Sequence, residues 1–242
     1  MAQNIYDRPE FFDGYSRMDR SMRGLDGAPE WPAMRALLPD LRDQRILDLG
    51  CGFGWFARWA AEQGAASVLG VDLSENMLAR ARAETADTQV LYLKADLESL
   101  ELPEESFDVA YSSLALHYVQ DFKRLIGEVS RALVSGGHFV FSIEHPIYMA
   151  SMNPGWLARE DGARTWPVDH YAIEGARVTD WLAKGVRKQH RTLGTTLNAL
   201  IDAGLTLRRV VEWSPTPEQV AARPSLGDEL ERPMMALVAA RK

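Results

Sequence analysis

Residues 45–64 read RILDLGCGFGWFARWAAEQG, and this stretch decides the fold. Its first five residues are short, apolar-rich and bounded by a glycine turn, which predicts a buried strand rather than a helix. Gly50, Gly52 and Gly54 allow a tight backbone turn and the close approach of a ligand where a Cβ atom would collide. The apolar stripe that follows predicts a helix over residues 55–63. The sequence therefore predicts a strand, a glycine loop and a helix that begins at the loop.

A second buried strand is predicted over residues 67–71, and Asp72 stands at its carboxyl end. In a doubly wound sheet, an acid about 20 residues after the first glycine accepts hydrogen bonds from the ribose hydroxyls of a nucleotide cofactor. Nicotinamide-binding domains share this pattern. The choice of cofactor therefore needs a separate argument.

Asp48 supplies that argument, because it lies just before the glycine loop. In a dinucleotide site, the loop amides and the helix N-terminus hold a pyrophosphate, which a carboxylate would repel. Two like charges about 4 Å apart cost roughly 4 kcal/mol at an effective dielectric constant of about 20. S-adenosylmethionine carries an ammonium and a sulfonium cation with a single carboxylate. An acid beside the loop therefore favours S-adenosylmethionine.

Two alternatives remain open at this point. One is an NAD(P)-dependent oxidoreductase, although none of the seven tyrosines is followed by a lysine four residues later, as short-chain dehydrogenases require. The other is a non-catalytic regulatory module that binds S-adenosylmethionine without turning it over. Binding and turnover measurements distinguish these from an enzyme that transfers methyl groups.

Three further strands place polar residues at the same edge of the predicted sheet. The third strand, residues 89–94, leads to Asp96, where an acid can accept a hydrogen bond from an adenine amino group. The fourth, residues 107–111, leads to the segment from Ser112 to Val119. The fifth, residues 138–143, follows a turn at Gly136-Gly137 and leads to Glu144 and His145. Residues after the fourth and fifth strands are where a methyl acceptor could bind.

The whole chain is predicted to form one domain. Residues 1–43 are predicted to form a helical cap with a helix near residues 31–38, and residues 44–146 the cofactor-binding core. Residues 147–191 are an insert on the acceptor side, which includes a hairpin turning at Lys184-Gly185. Residues 192–242 supply a C-terminal helix and the last two strands.

Composition limits the partners. The chain has 242 residues and a formal net charge of −7, without a lysine- and arginine-rich run, so nucleic acid is not expected as a partner. No apolar stretch is long enough to span a membrane, and the single cysteine, Cys51, suits a reducing compartment. We therefore expect a cytoplasmic protein that binds small molecules. The five histidines show no metal-binding spacing, so no metal is expected.

The chain resembles the class I S-adenosylmethionine-dependent methyltransferases, in particular the small-molecule branch with ubiquinone/menaquinone-biosynthesis and malonyl-carrier methyltransferases. The resemblance rests on four segments: ILDLGCGFGWFARWAAEQG, VLGVDLSENMLARAR, KADLESLELPEESFDVAYSSLALHYV and EVSRALVSGGHFVFSIEHP. It implies an α/β, Rossmann-like, mostly parallel sheet of seven strands in the order 3-2-1-4-5-7-6, with an antiparallel last strand and helices on both faces.

The resemblance also implies roles for individual residues. Asp48 and the three loop glycines match the site for the methionine end of the cofactor, and Asp72 with Leu73 matches the ribose site. Asp96 and Leu97 match the adenine site. Looser matches, at the methionine amine and carboxylate, are Ser112, Tyr15 and Arg20.

A general base is required only if the methyl acceptor must lose a proton. The main candidates are His117, Glu144 and His145, because they follow strands four and five, and Tyr171 and His190 are two further candidates. A histidine pKa suits base chemistry near neutrality. His117 is also compatible with a packing role, and Arg20 with an ordinary salt bridge. The identity of the acceptor is not specified by these residues.

Overall fold

Eleven strands and ten α-helices are present in the computed structural model, which describes residues 3–242. The strands are β1 (Arg45–Leu49), β2 (Ser67–Asp72), β3 (Val90–Lys94), β4 (Phe107–Ser113), β5 (Leu133–Glu144), β6 (Leu157–Ala158), β7 (Arg164–Thr165), β8 (Gly175–Trp181), β9 (Ala183–His190), β10 (Thr206–Glu212) and β11 (Met235–Arg241). The helices are α1 (Pro9–Ser16), α2 (Asp19–Met22), α3 (Trp31–Arg35), α4 (Trp55–Glu62), α5 (Glu75–Glu84), α6 (Phe122–Ala132), α7 (Pro146–Met149), α8 (Leu193–Asp202), α9 (Pro217–Ala222) and α10 (Asp228–Glu231).

Seven of the strands form one sheet in the order β3-β2-β1-β4-β5-β11-β10. The five strands from β1 to β5 are parallel, whereas β11 pairs antiparallel with both β5 and β10. This confirms the predicted order, with β10 and β11 as the sixth and seventh strands of the sheet. The carboxyl ends of β1, β2 and β4 therefore meet at one edge, where open α/β sheets bind ligands.

The sheet is covered on both faces, which explains why its central strands are apolar at successive positions. Ile46 of β1 belongs to a buried cluster with α3 and α4. Leu47 and Leu49, which point to the other face, pack in a second cluster with α6 and α8. In this way the strand that leads to the glycine loop is fixed on both sides.

Two predicted turns are wrong. The hairpin turns at Leu182, where Trp181 pairs with Ala183, and not at Lys184-Gly185. Gly185 instead lies inside β9 with a positive φ of 75°, close to a register shift in the hairpin. Likewise, Gly136-Gly137 does not separate α6 from β5, because β5 already begins at Leu133 and contains both glycines in an irregular stretch of its pairing with β4.

Other boundaries also differ from the predictions. The helix predicted near residues 31–38 ends at Arg35. The helices α9 and α10 lie in a connection between the last two strands that the sequence patterns did not resolve. Within residues 3–242, no helix combines the length and the apolar character needed to cross a membrane.

Candidate functional site

The glycine loop between β1 and α4 is held against the end of β2. The backbone N–H groups of Gly50 and Cys51 both donate to the carbonyl oxygen of Val71, at 2.8 and 3.0 Å. Gly50 has a φ of 73°, and a Cβ atom there would lie 2.3 Å from the Cβ atom of Ala115. Because both the backbone conformation and the space exclude a side chain, the loop requires glycine at this position.

The carboxylate of Asp72 joins two turns at the edge of the sheet. Its Oδ2 accepts a hydrogen bond from the Gly52 N–H at 2.9 Å, and its Oδ1 accepts one from the Ser74 N–H at 2.9 Å. Burial raises the pKa of Asp72, and these hydrogen bonds oppose the shift. The side chain also lines a cavity at this edge, so it can bind a ligand while it holds the loop.

We call this space the inner cavity. It has a volume of about 190 Å³ and is lined by Gly50, Gly52, Asp72, His117, Glu144 and Lys188, together with aromatic and methionine side chains. A smaller side pocket of about 90 Å³ is lined by Asp48, Arg20, Glu30 and the glycine loop. Gly50, Gly52, Tyr15 and Arg20 line both spaces, which are therefore adjacent.

Asp48 is an unsatisfied acidic group of the side pocket. It is 2% exposed, and its Oδ2 has no hydrogen-bond partner within residues 3–242. Burial, and secondarily the charge of Asp72, raises the pKa of Asp48 well above its ordinary value. A buried carboxylate without a partner is costly. A cationic group such as the S-adenosylmethionine ammonium would provide the missing charge, so this residue fits the cofactor predicted from the sequence.

Residues of the N-terminal cap complete the side pocket. Arg20 Nη2 donates to Glu30 Oε1 at 2.9 Å, and the Glu30 side chain is almost fully buried. Tyr15 is packed against Phe53 of the glycine loop, with ring centroids 5.9 Å apart. Arg20 therefore forms a partly buried ion pair beside the cavity, and it remains positioned to share its charge with a ligand carboxylate.

The predicted Ser112 has a structural contact of its own. Its Oγ donates to the carbonyl oxygen of Leu49 at 2.7 Å and ties the end of β4 to the end of β1. The next residues, Ser113 and Leu114, line the inner cavity instead. Leu114 has a positive φ of 53°, which marks the sharp turn that leads the chain away from the sheet.

The residues predicted at the ribose and adenine end are more dispersed. Leu73, Asp96 and Leu97 do not line the inner cavity. Asp96 Oδ1 accepts a hydrogen bond from the Glu98 N–H at 3.0 Å, and the carbonyl oxygen of Leu97 accepts one from Arg124 Nη2. The structure thus places Leu73 directly after β2, and Asp96 and Leu97 in the turn after β3. Their contacts with the ribose and with adenine stay predictions.

The far wall of the inner cavity carries a buried charged cluster. The Lys188 ammonium donates to Glu144 Oε1, and the side chains are 4% and 14% exposed. His117 Nε2 lies 4.0 Å from the same carboxylate oxygen. His117 Nδ1 accepts a hydrogen bond from the Glu144 N–H at 3.4 Å, which assigns the ring proton to Nε2. Burial, followed by the charges of Lys188 and Arg191, lowers the pKa of His117 well below its ordinary value.

His145 does not join this cluster. Its Nδ1 accepts a hydrogen bond from the Ile147 N–H at 3.1 Å and caps α7, while its Nε2 bonds to Glu212 at 2.8 Å. Both ring nitrogens therefore have partners away from the inner cavity. The expectation that His145 faces the methyl acceptor is not met, because the chain turns into α7 directly after β5.

Two contributions to the site were not identified from the sequence. Lys188 was not predicted at the site, although it lies on the same face of β9 as the buried residues Val186 and His190. Asp7 accepts hydrogen bonds from Ser74 Oγ at 2.5 Å and from the Asn76 N–H at 3.1 Å. It thereby fastens the N-terminal segment to α5 and places Tyr6 in the cavity wall.

The sheet, the glycine loop and the acids at its edge define a class of proteins that bind a nucleotide-like cofactor. Residues 47–141 match the family model described as "Methyltransferase domain". A crystal structure of an S-adenosylmethionine dependent methyltransferase from Mesorhizobium loti is 63% identical, covers 90% of this chain and 100% of its own, and gives a TM-score of 0.88. This chain therefore belongs to the S-adenosylmethionine-dependent methyltransferases.

Two other relatives differ in how much they share. A Listeria monocytogenes protein, assigned to the same methyltransferases, is 40% identical over 89% of this chain and 98% of its own, with a TM-score of 0.81. The malonyl-[acyl-carrier protein] O-methyltransferase of Pectobacterium atrosepticum is 33% identical, but over only 54% of this chain and 50% of its own length. The predicted fold, cofactor and enzyme class are confirmed, and nothing favours the oxidoreductase or the regulatory module.

Substitution of Asp72 should weaken cofactor binding. We expect Asp72→Ala to reduce the affinity for S-adenosylmethionine by about 1–3 kcal/mol, because a charged acceptor and the contact that holds Gly52 are lost together. Isothermal titration calorimetry measures this directly. Asp108→Ala is the matched control, since Asp108 pairs with Arg45 at the opposite edge of the sheet. Equal affinities of the two variants would contradict the assignment.

His117 should make stability depend on pH. Since its folded pKa is depressed, the unfolded state takes up a proton below a pH of about 6.5 while the native state does not, and stability falls as pH falls. Between pH values of about 6.5 and 5.5, the free energy of unfolding should decrease by about 1 kcal/mol more in the wild type than in His117→Gln.

Urea denaturation at several pH values tests this expectation. His170→Gln provides the control, because the His170 side chain is 45% exposed and should leave the wild-type pH dependence intact. If His117→Gln and the wild type gave parallel curves, His117 would not be held neutral in the native state.

Proposed function

We propose that this methyltransferase acts on a neutral hydroxyl group of a small molecule, with Glu144 as the proton acceptor. The observation that carries the proposal is the Glu144–Lys188 ion pair, which faces the same inner cavity as the glycine loop and Asp72. The cofactor and the reacting atom of the acceptor would then lie in one enclosed space. His117 and His145 are not needed as bases.

The proposed cofactor site follows the order of the residues along the sheet edge. Asp48 and the glycine loop would hold the methionine ammonium, supported by Tyr15, Arg20 and the backbone at Ser112. Asp72 and Leu73 would hold the ribose hydroxyls. Asp96 and Leu97 would contact adenine. When bound, the cofactor supplies a methyl group that is attached to a sulfonium sulfur. The acceptor attacks this methyl group in line and displaces the sulfur.

Glu144 is better suited than His117 to take the acceptor proton. His117 Nδ1 already accepts a backbone hydrogen bond, and Nε2 carries the ring proton. Burial raises the pKa of Glu144, although the Lys188 ammonium opposes the shift. Glu144 is therefore a stronger base than an exposed glutamate, and the proton of the acceptor would pass to its carboxylate as the new O–CH₃ bond forms.

The ion pair also favours a hydroxyl over other acceptors. A hydroxyl can donate to Glu144 and accept from Lys188, and the ammonium stabilises the negative charge that develops on oxygen. A protonated amine has no free electron pair with which to attack the methyl group, and a carboxylate has no proton to give to Glu144. The remaining wall is aromatic, with Tyr6, Tyr118 and Trp181, which suits an acceptor with an apolar body.

The Pectobacterium relative is an O-methyltransferase, which shares with the proposal the transfer of a methyl group to oxygen, although that likeness spans about half of each chain. Its substrate is not carried over. The sequence also predicts a cytoplasmic protein without a nucleic-acid partner, and this stays a prediction.

Glu144→Gln tests the proposed base. We expect a decrease in kcat of about 10²-fold or more, because the amide keeps the shape of the carboxylate but cannot take a proton. The affinity for S-adenosylmethionine should stay within about twofold. The measurement is formation of S-adenosylhomocysteine with a panel of phenols, aliphatic alcohols, amines, thiols and carboxylates.

His145→Gln is the control, since His145 is the next residue in the chain but has its contacts outside the cavity. Wild-type turnover in Glu144→Gln would refute the role of Glu144. Preferential methylation of amines or carboxylates would refute the hydroxyl acceptor. Binding of S-adenosylmethionine without turnover of any compound would favour the regulatory alternative.

A further inference from the structure

A second, larger space adjoins the inner cavity. This outer groove has a volume of about 650 Å³, opens towards solvent, and lies between the segment after β5 and the hairpin of β8 and β9. Four residues line both spaces: Glu144, Tyr148, Trp181 and Lys188. Side chains of these residues therefore form the wall between the inner cavity and the outer groove.

That wall contains the ion pair that we assign to the reaction. The Lys188 ammonium lies 4.9 Å from the centre of the Trp181 ring and donates to Glu144. A molecule whose hydroxyl reaches Glu144 can therefore extend past Trp181 and Tyr148 into the outer groove. Since side chains rotate more readily than backbone moves, this wall is a passable boundary.

The outer groove has a fixed cation. The Arg232 side chain is 7% exposed, and its guanidinium carbon lies 4.3 Å from the centre of the Trp166 ring and 4.5 Å from that of Tyr148. Arg232 lines the groove, whereas its ion-pair partner Glu229, at 2.8 Å, does not. Aromatic rings thus hold the Arg232 guanidinium at the groove, whereas the carboxylate of its partner, Glu229, lies outside the groove lining.

The protein does not provide a hydrogen-bond acceptor for every N–H group of the Arg232 guanidinium. Within residues 3–242, Arg232 Nε has no hydrogen-bond partner, and the buried Thr179 Oγ1 of the same lining also has none. The other charged side chains that line the groove compete little with Arg232 for a ligand carboxylate. Glu144 and Lys188 neutralise each other, and Asp180 is exposed and accepts a hydrogen bond from the Gly185 N–H at 3.1 Å. Solvent screens an exposed charge far more than a buried one.

Resting on the proposed function, we propose that the outer groove binds the distal end of an elongated acceptor, and that Arg232 pairs there with a carboxylate. The acceptor is then a hydroxy acid, with its hydroxyl at Glu144 and its carboxylate at the far end of the molecule. Arginine suits this task because its planar guanidinium binds carboxylates with two parallel hydrogen bonds.

The test uses binding to the full chain saturated with S-adenosylhomocysteine, so it does not depend on turnover. The probes are 4-hydroxyphenylalkanoic acids of increasing chain length, each paired with its neutral amide, in isothermal titration calorimetry. For acids long enough to reach Arg232, we expect binding at least about tenfold tighter than for the matching amides. The preference should be smallest for 4-hydroxybenzoic acid, the shortest member of the series.

Three variants locate the preference. Arg232→Gln together with Glu229→Gln removes both charges, so that no buried charge is left unpaired. This double variant should lose the preference for acids and keep its affinity for S-adenosylhomocysteine. Arg232→Lys should retain part of the preference. Arg164→Gln is the matched control, since Arg164 also packs on a tryptophan, Trp156, but does not line the groove, and it should behave as the wild type.

Three results would overturn the proposal: equal binding of acids and amides to the wild type, a preference that survives in the double variant, or no binding of any long acid at about 10 mM. Failure of the proposed function is distinguished from these, because it is measured by turnover of Glu144→Gln and not by binding.

Discussion

The structure depends on two hydrogen bonds accepted by one half-buried carboxylate at the edge of the sheet. Asp72 accepts from the backbone of Gly52 in the first strand-to-helix turn and of Ser74 in the second. Because β1 and β2 are parallel neighbours, their turns meet at one edge of the sheet, and a single side chain can hold both. The position of the glycine loop, and so of everything that the loop contacts, follows from this arrangement.

Around that carboxylate, the site is built from charges that have been removed from water. Arg20 with Glu30, and Lys188 with Glu144, each remove the cost of burying an isolated charge by pairing it. Asp48 has no such partner among residues 3–242, and burial shifts its pKa upward. The two pairs supply their own counter-charges, whereas Asp48 gains most from a cationic ligand. This gives a physical reason for a methyltransferase to keep an acid just before its glycine loop.

The sequence was informative where local patterns and topology determine the result. The strand, loop, helix and second strand around Gly50 and Asp72 follow from short-range periodicity, and parallel pairing then fixes their common edge. Predictions from the sequence failed where a tertiary contact determines the local structure. The hairpin turns at Leu182 because of cross-strand register, against the local preference of Lys184-Gly185. The His145 ring bonds to Glu212 because α7 begins directly after His145. Lys188 is buried only because it pairs with the carboxylate of Glu144, 44 residues away.

The proposed contact between Asp48 and the cofactor ammonium has a direct test, because a nearby cation lowers the raised pKa of this carboxyl. Calorimetric titration of S-adenosylmethionine at a pH of about 6, in buffers of different ionisation enthalpy, measures the protons exchanged on binding. We expect the wild type to release protons when the cofactor binds, because the cation lowers the raised pKa of Asp48. We expect no such release by Asp48→Asn. The same proton exchange in both proteins would contradict it.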